Sequence, residues 1–497
     1  MTDFVAGAVL GTETEFGITI TNQADFNPVL ASSLVINSYA GDRARIQWSF
    51  EEESPGRDAR GFGYQPAPMT DFESGLVNVV LSNGARLYVD HAHPEYATPE
   101  CTDPLEAALH DKAGEVVMER ASEVARQTLA ADERLLIHKN NSDGKGNSYG
   151  AHENYLVARS IPFSDLVRHL TSFFASRQIV TGSGKVGSEN GRPAVDFQVS
   201  QRADFFEEEV GLETTLKRPI VNTRDEPHAD PTKYRRLHVI IGDANQSEIQ
   251  IFLKLATTRL VLEAIEAGSI GDPIALLDPV ESVWQVSHDP TLKTTLKRGD
   301  GSSITALDLQ WHYLEAISKH AEMEGVSSTD ADAITHWESV LDMLEADPRS
   351  AADRLDWAAK LDLLEHFRER DGLEWSDPKL RLLDLQFHDV DRTKGLYHKL
   401  VAANRMQRLF SDDEIAGAAT TPPASSRAYF RGRCVEKFGS AIVAANWDSL
   451  IFDVGGDVLK RVPMMEPRRG GRSQVADLID GAETAADLVH ALGGADG

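Results

Sequence analysis

Polar and apolar residues alternate along much of the first half of the chain, which predicts strands separated by glycine-rich turns. Most of these stretches are rich in β-branched or aromatic residues, which suit the half-buried surface of a sheet. A helix is predicted near residue 103, because Asp103 can act as N-cap, Pro104 fits the first helical position and Glu106 can complete a capping box. The strand candidates are AVLGTETEFGITI, ARIQWSF, ARLYVD, RLLIHKN, YGAHENYLVAR, DFQVS and LHVIIGD.

Apolar positions recur at helical spacing in the second half of the chain. In TALDLQWHYLEAISKHAEMEG, residues Leu307 and Trp311 share one face of a helix. Residues 411–427 are small, polar and proline-bearing, which is the composition of a linker. The pattern predicts an α+β fold in which residues 1–424 form the main domain and residues 425–497 form a small α/β domain.

One segment interrupts the strand pattern early in the chain. Residues 41–75 carry three prolines, five glycines and many charged side chains between two strand candidates. This length and composition predict a long mobile loop. Structureless loops of this size in compact proteins are usually functional or disordered, and composition alone leaves both interpretations open.

Composition and charge narrow the classes of function. The chain has 497 residues and a formal net charge of -28, which repels nucleic acid and anionic membranes at long range. We therefore expect no nucleic-acid binding and no membrane association, and no apolar run is long enough to span a bilayer. The first residues lack a basic segment followed by a long apolar stretch, which favours a cytoplasmic protein. Cys101 and Cys434 support neither a disulfide framework nor a cysteine zinc site.

Two strand candidates carry ionisable side chains on a single face. Glu13 and Glu15 point the same way, because successive side chains on a strand alternate between its two faces. By the same rule, Arg86, Tyr88 and Asp90 share one face of ARLYVD. The sequence thus predicts a sheet with an apolar face packed on helices and a polar face that lines a cleft.

These acidic residues are candidates for a metal site. Glu95 is expected in the turn after the second strand, and crowded carboxylates raise each other's pKa unless a cation neutralises them. An oxygen-rich cluster suits Mg²⁺ or Mn²⁺ with positions left for nucleotide phosphates, and His152 can add a nitrogen ligand. The alternative is that Glu-x-Glu is a solvated strand edge, and the pattern leaves both open.

Five motifs together resemble one known family. GTETEFG, NGARLYVDHAHPEY, YGAHENYL, VNTRDEPHAD and RAYFRG are similar to the Pup ligase and Pup deamidase/depupylase family, over essentially the whole chain. That family is similar in fold to glutamine synthetase. The resemblance implies a glutamine synthetase-like curved antiparallel sheet cradle, backed by helices, plus the small C-terminal α/β domain. Three stretches favour the deamidase/depupylase branch over the ligase branch, namely WSFEEESPGRDARGF, YVDHAHPEY and WDSLIFDVGGDVLKRVPMMEP.

The resemblance also implies an activity. Deamidase/depupylases hydrolyse the side-chain amide of the C-terminal glutamine of Pup, a small protein modifier, and the isopeptide bond that joins Pup to a lysine. The implied cofactors are ATP and Mg²⁺, and the implied partners are Pup and pupylated proteins. One alternative is a Pup–protein ligase, which forms the isopeptide bond through a γ-glutamyl phosphate. Another is a catalytically inactive Pup-binding protein.

Individual roles are implied by the same resemblance. Asp90 would act as the nucleophile or would activate a water or a phosphate, although the residues alone favour a third metal ligand or a strand-end cap. The loop of residues 41–75 would be a gate or an allosteric element over the cleft. The implied metal ligands are Glu13, Glu15, Tyr88, Glu95 and His152. The implied contacts to the cofactor's phosphates or to a bound carboxylate come from Glu15, Arg202, Arg224, His238, Arg427 and Arg431.

Overall fold

The computed structural model describes residues 6–41, 46–50, 53–62 and 77–493. The segment predicted as a mobile loop, residues 41–75, lies partly outside the described residues, and its mobility stays a prediction. None of the described helices is both long and apolar enough to cross a membrane.

The described residues form helices and strands throughout the chain. The strands are β1 Leu10–Glu15, β2 Gly17–Thr21, β3 Gln47–Trp48, β4 Asn78–Val80, β5 Arg86–Asp90, β6 His93–Ala97, β7 Arg134–His138, β8 Ala151–Ala158, β9 Lys185–Val186, β10 Phe197–Gln198, β11 Phe206–Gly211, β12 Arg218–Asn222, β13 Tyr234–Val239, β14 Thr295–Lys297, β15 Ser303–Thr305, β16 Ile442–Ala445, β17 Ser449–Phe452 and β18 Lys460–Pro463. The α-helices are α1 Pro28–Ala40, α2 Pro104–Arg126, α3 Phe163–Thr181, α4 Glu248–Glu266, α5 Pro279–Ser287, α6 Ala306–Glu324, α7 Ser328–Ala346, α8 Asp356–Asp371, α9 Pro378–Phe387, α10 Leu396–Ala402, α11 Asp412–Ala418, α12 Arg427–Phe438, α13 Arg472–Gly481 and α14 Ala485–Ala491.

An antiparallel sheet of six strands, in the order β13-β8-β1-β6-β5-β4, supports the polar residues. The register places Glu13 opposite His152 on β8, and Glu15 opposite Glu95 on β6. Because paired residues share a face, these side chains all lie on the same side of the sheet. The predicted α+β fold with an antiparallel sheet is confirmed.

Glu95 lies within a strand, so its expected place in a turn is wrong. Only His91 and Ala92 separate β5 from β6, and the hairpin is therefore tighter than the sequence suggested. Its register sets Glu95 directly opposite Tyr88. The tight hairpin consequently adds a carboxylate to the polar face of the sheet.

Helices α1, α2 and α4 pack against the apolar side of the sheet. Helix α2 begins as predicted, since Pro104 occupies its first turn and the Asp103 carboxylate accepts a hydrogen bond from the backbone N–H of Glu106. The carboxylate of Glu106 does not close the predicted capping box, because it accepts backbone hydrogen bonds from Thr102 and Ala424 instead. The second half of the chain is largely helical, as predicted.

The segment of residues 411–427 is not a linker, because it contains helix α11. Ser411 and Glu414 form a capping box at the start of this helix. Ile415 and Ala418 are buried where α11 packs against α2. This part of the segment is therefore a packed helix rather than a flexible connection.

The C-terminal residues form a second sheet, in the strand order β18-β17-β16-β3. Strand β3 comes from the N-terminal part of the chain and runs parallel to β16, with Trp48 opposite Ala445. A separate apolar cluster that includes Trp48, Phe430 and Leu450 lies beside this sheet. The predicted domain of residues 425–497 therefore shares its sheet with an earlier segment, and its boundary stays a prediction.

Candidate active site

The polar face of the six-stranded sheet lines an open cavity of about 770 Å³. Glu15 belongs to the same acidic cluster as Asp90 and Glu95. The other predicted site residues that line this cavity are Glu13, Tyr88, Asp90, Glu95, His152, Arg224 and His238. Arg202, Arg427 and Arg431 lie outside its lining. Strand alternation thus gathers most of the predicted set in one place.

Three carboxylates form the first cluster. Ligand atoms of Glu15, Asp90 and Glu95 lie within 4.8 Å of one another. The hydroxyl of Tyr88 donates a hydrogen bond to Glu95 Oε1 at 2.6 Å. Burial, and then the negative charges of Asp90 and Glu15, raise the pKa of Glu95 well above its usual value. A divalent cation bound between the carboxylates would reduce their mutual repulsion.

Glu15 is held from two sides. Its Oε1 accepts a hydrogen bond from the backbone N–H of Gly150 at 2.8 Å, and its Oε2 lies 2.9 Å from His93 Nδ1. The ring of His93 lies with its centroid 4.3 Å from that of Tyr149. Sequence reasoning did not select His93, although its position two residues before Glu95 on β6 puts it on the polar face.

A second cluster contains nitrogen ligands. Ligand atoms of Glu13, His152 and His238 lie within 4.8 Å of one another. Burial alone would raise the pKa of Glu13, but the hydrogen bond from His152 and the charge of Arg236 outweigh it and hold the pKa at about 2. His238 Nδ1 lies 3.0 Å from Asn154 Oδ1, and its buried Nε2 contacts no partner among the residues described.

The tautomer of His238 follows from its neighbours. Asn154 Oδ1 already accepts a hydrogen bond from Arg236 Nη1 at 2.8 Å, so this oxygen is an acceptor. His238 Nδ1 must therefore carry a proton and donate it to Asn154. Burial keeps the pKa of His238 well below its usual value, which leaves the ring neutral and Nε2 with a free lone pair.

Asp90 lies at the end of β5, beside the carboxylate cluster. Its Oδ1 lies 3.2 Å from His91 Nδ1. Burial would raise the pKa of Asp90, but the hydrogen bond and charge of His91 outweigh it, so the pKa falls. The same hydrogen bond is the main reason why the pKa of His91 rises to about 9. At neutral pH the pair is a carboxylate next to an imidazolium.

The guanidinium groups of Arg202 and Arg218 both contact Ser148, close to Glu15, and neither contacts a carboxylate in the described part of the chain. Arg218 Nη2 donates to the Ser148 carbonyl at 2.8 Å, and Arg202 Nε lies 3.4 Å from Ser148 Oγ. Burial lowers the pKa of Arg202 to about 9, and the charge of Arg218 adds to this shift. Neither guanidinium forms an ion pair within the described residues. Sequence reasoning missed Arg218, since nothing local in the sequence sets it apart.

Arg427 and Arg431 face a different carboxylate. Arg427 Nε donates to Glu100 Oε1 at 2.7 Å, and Arg431 Nη1 donates to the same oxygen at 3.1 Å. Burial would raise the pKa of Glu100, but the two guanidinium charges outweigh it and hold the pKa at about 2. These arginines fix helix α12 to the residues that follow β6. Their predicted role toward phosphates stays a prediction.

A smaller cavity of about 90 Å³ adjoins the first. Both cavities are lined by Glu13, His228, Arg236 and Trp447, so they are neighbours at one end of the cleft. The smaller one is otherwise mainly apolar, with walls that include Leu10, Gly11, Ala97, Leu156, Pro227 and Pro467. The cleft therefore joins a charged region to a compact apolar one.

Similarity to known proteins is extensive. The family model of the Pup-ligase protein matches residues 8–451. A depupylase of Acidothermus cellulolyticus is 52% identical over 98% of this chain and 99% of its own length. A Pup deamidase/depupylase of Mycolicibacterium smegmatis is 51% identical over 97% of this chain and 99% of its own length.

Two solved structures that this chain resembles belong to the same family as its sequence relatives. A complex between prokaryotic ubiquitin-like protein Pup and its ligase PafA matches with a TM-score of 0.82, at 31% identity, over 99% of this chain and 96% of that chain. The Pup ligase PafA in complex with ADP matches with a TM-score of 0.74, at 35% identity, over 81% of this chain and 89% of that chain. The predicted family resemblance is confirmed, and the chain belongs to the Pup-ligase protein family.

Proposed function

We propose that this chain hydrolyses the side-chain amide of the C-terminal glutamine of Pup, and the isopeptide bond between Pup and a target lysine. The observation that carries the proposal is the charged Asp90 carboxylate, which lies in the cleft beside Glu15 and Glu95. The relatives at 52% and 51% identity are named depupylase and Pup deamidase/depupylase, whereas the two ligase structures are 31% and 35% identical.

The donor set of the cleft fits Mg²⁺. Glu15 and Glu95 offer carboxylate oxygens for one ion, and Glu13 and His152 offer ligands for a second. The free lone pair on His238 Nε2 suits this second ion better than it suits a phosphate, which needs a donor. When bound, Mg²⁺ supplies positive charge to the phosphates and to the oxygen on which negative charge develops.

Tyr88 is assigned a role other than metal binding. Burial raises the pKa of Tyr88 well above its usual value, so the phenol keeps its proton at neutral pH. That proton is already used in the hydrogen bond to Glu95 Oε1. We therefore assign Tyr88 to orienting Glu95, rather than to ligation as the family resemblance implied.

ATP is the proposed nucleotide, and a family ligase has been solved with ADP. Amide hydrolysis is favourable without ATP turnover, so the nucleotide acts as a bound cofactor. Arg224 lines the large cavity, and its buried Nε contacts no partner among the described residues, so it can donate to a phosphate. The smaller apolar cavity beside Trp447 adjoins this region and offers apolar side chains that the base could contact.

Arg202 and Arg218 are assigned to the substrate's free carboxylate. Two adjacent buried guanidinium groups repel each other, and an anion bound between them would remove that cost. The C-terminal glutamine of Pup carries such an anion, its α-carboxylate.

Asp90 then acts on the amide carbon in one of two ways. As a nucleophile, an Asp90 oxygen bonds to the carbon, the C–N bond breaks and the amine departs with a proton taken from water, after which water hydrolyses the anhydride and restores the Asp90 carboxylate. As a base, Asp90 accepts a proton from the water whose oxygen bonds to the carbon, and this proton passes to the amine as the C–N bond breaks. His91, protonated and 3.2 Å from Asp90, keeps the carboxylate charged before the reaction in both cases.

The location proposed for this reaction is the cytoplasm. Cys101 and Cys434 are buried and form no disulfide, which agrees with a reducing compartment. Pup and pupylated proteins are the proposed partners.

Mass spectrometry of one reaction tests the function. Purified protein is incubated with glutamine-ended Pup, ATP and Mg²⁺, and the expected product has OH in place of NH₂ on the terminal side chain. A pupylated protein added in a second reaction should release free Pup. Formation of a Pup–lysine conjugate from glutamate-ended Pup, together with ADP, would instead identify a ligase.

A further inference from the structure

The Arg86 guanidinium is held between two aromatic rings in the described cleft. Its central carbon lies 3.8 Å from the ring centroid of Trp48 and 3.9 Å from that of Tyr88. Arg86 Nε donates a hydrogen bond to Asn78 Oδ1 at 2.9 Å. The guanidinium thus contacts both rings closely, and its hydrogen bond to Asn78 restrains its rotation.

The two rings belong to different sheets. Tyr88 is on β5 of the six-stranded sheet, whereas Trp48 is on β3 and pairs with the C-terminal strand β16. On its other side, Trp48 contacts Trp447 with ring centroids 5.6 Å apart. The Arg431 guanidinium lies 4.9 Å from the Trp447 ring. A continuous series of contacts therefore links the C-terminal sheet to the Tyr88 side chain.

Tyr88 transmits this contact to the carboxylate cluster. Its hydroxyl donates to Glu95 Oε1 at 2.6 Å, so a rotation of the Tyr88 ring would move the donor away from Glu95. Glu95 is 2% exposed and lies opposite Tyr88 in the sheet register. The orientation of the carboxylate therefore depends on the ring, and the position of the ring depends on Arg86.

We propose that Arg86 and Trp48 are positioning residues that hold Tyr88 and thereby orient Glu95 toward a divalent cation. This inference depends on the proposed function only because both assume that Glu95 binds a divalent cation. It gives the C-terminal sheet a part in shaping the site, through Trp48. Arginine is required because lysine has no planar group that can stack between two rings.

The experiment measures Mn²⁺ binding by electron paramagnetic resonance on the full chain, without substrate. In metal sites, loss of a group that orients a ligand typically costs 10- to 100-fold in affinity, and we expect Arg86→Lys to weaken Mn²⁺ binding by about 10-fold or more. Trp48→Leu should have a similar effect, and Trp48→Phe, which keeps a ring, a smaller one. Hydrolysis by Arg86→Lys should recover at high metal concentration.

Arg235→Lys is the matched control. Arg235 is buried and directly precedes Arg236 on β13, so the two side chains lie on opposite sides of the sheet. The Arg235 guanidinium lies 5.4 Å from the Phe163 ring, on the side away from the cleft. This variant should bind Mn²⁺ like the wild type. Thermal unfolding of each variant identifies any that fails to fold, in which case Trp48→Phe and Trp48→Leu carry the comparison.

Two results would overturn the inference. The first is wild-type Mn²⁺ affinity in folded Arg86→Lys and Trp48→Leu. The second is a loss of hydrolysis in Arg86→Lys that persists at saturating metal, because Arg86 would then act on the substrate. A wild type that binds Mn²⁺ but hydrolyses nothing would refute the proposed function, while the affinity comparison would still decide the roles of Arg86 and Trp48.

Discussion

Neighbouring carboxylates in the cleft differ in protonation because different groups touch them. His152 and Arg236 hold the pKa of Glu13 at about 2 in spite of its burial. Glu95 is more deeply buried and faces a phenol and other carboxylates, so its pKa rises well above the usual value. A cation bound beside Glu95 would stabilise its charged form, which burial and the neighbouring carboxylates disfavour.

Asp90→Asn is expected to abolish amide hydrolysis and to leave Mn²⁺ and ATP binding intact. The amide has the size of the acid but can neither attack a carbon nor accept a proton from water, so kcat/KM should fall by about 10³-fold or more. Kinetics on glutamine-ended Pup and calorimetric titration with ATP check both parts.

Glu209→Gln removes an exposed carboxylate on β11 and should behave like the wild type in the same assays. Unchanged hydrolysis by Asp90→Asn would contradict the assignment. Weak Mn²⁺ binding by the same variant would instead make Asp90 a metal ligand.

At the scale of strands and helices, local patterns were informative where one face of an element is buried. The two-residue alternation of β1, β5 and β8 placed Glu13, Glu15, Tyr88 and Asp90 on one face before any contact was known. Strand β6 was missed because its sequence, HPEYA, contains a proline and follows a two-residue turn. A local pattern cannot reveal a strand that is defined mainly by its neighbours.

Long-range pairings were beyond local reasoning for the same physical reason. Strand β3 has two residues and exists because it pairs with β16, near the other end of the chain. Arg202 and Arg218 meet at Ser148, and Glu100 meets Arg427, through tertiary packing alone. Such contacts bring together side chains whose positions in the sequence carry no shared periodicity.

Gly150→Ala tests how closely the backbone just before β8 approaches the ligands on the neighbouring strands. An added Cβ at this position would collide with His152 Nε2 and would lie 2.8 Å from Glu15 Oε1. Both side chains must move, and we expect Mn²⁺ affinity to fall by about 10- to 100-fold, as for other changes that displace ligands. Electron paramagnetic resonance of Mn²⁺ measures this change.

The control for this variant is Gly417→Ala in helix α11, where an added Cβ meets no atom within 4 Å. That change should leave Mn²⁺ binding unaltered and increase the free energy of unfolding by about 0.5–1 kcal/mol, because alanine favours a helix. Full Mn²⁺ affinity in Gly150→Ala would show that the ligands adjust without loss.

On the scale of the whole molecule, several contacts join the C-terminal residues and β3 to the six-stranded sheet. They include the stack of Trp48 on Arg86, the ion pair of Glu100 with Arg427 and Arg431, and the hydrogen bond that the Tyr234 hydroxyl donates to Glu466. We propose that residues 425–497, together with β3, form one unit whose docking includes the Arg86 stack and the Glu100 ion pair. Removing either of these two contacts should therefore affect the molecule beyond its immediate surroundings.

The Glu100 contact predicts a specific loss of stability in acid. The folded pKa of about 2 lies below the ordinary 4.5, so the ion pair stabilises the protein above pH 4.5 and this contribution disappears as the pH falls toward 2. Glu100→Gln should lower the free energy of unfolding by about 3 kcal/mol at pH 6.5.

At pH 3.5 the difference between wild type and Glu100→Gln should shrink by about 1.4 kcal/mol, because the unfolded wild type then binds most of a proton that the folded state refuses. Urea unfolding of both proteins at pH 6.5 and 3.5 measures the two differences, and other acidic groups cancel between them. Glu209→Gln, which removes an exposed acid, should show no pH-dependent difference from the wild type. A Glu100→Gln difference that is the same at both pH values would mean that the two arginines do not depress the Glu100 pKa, and that neutral hydrogen bonding joins the C-terminal unit to the catalytic sheet.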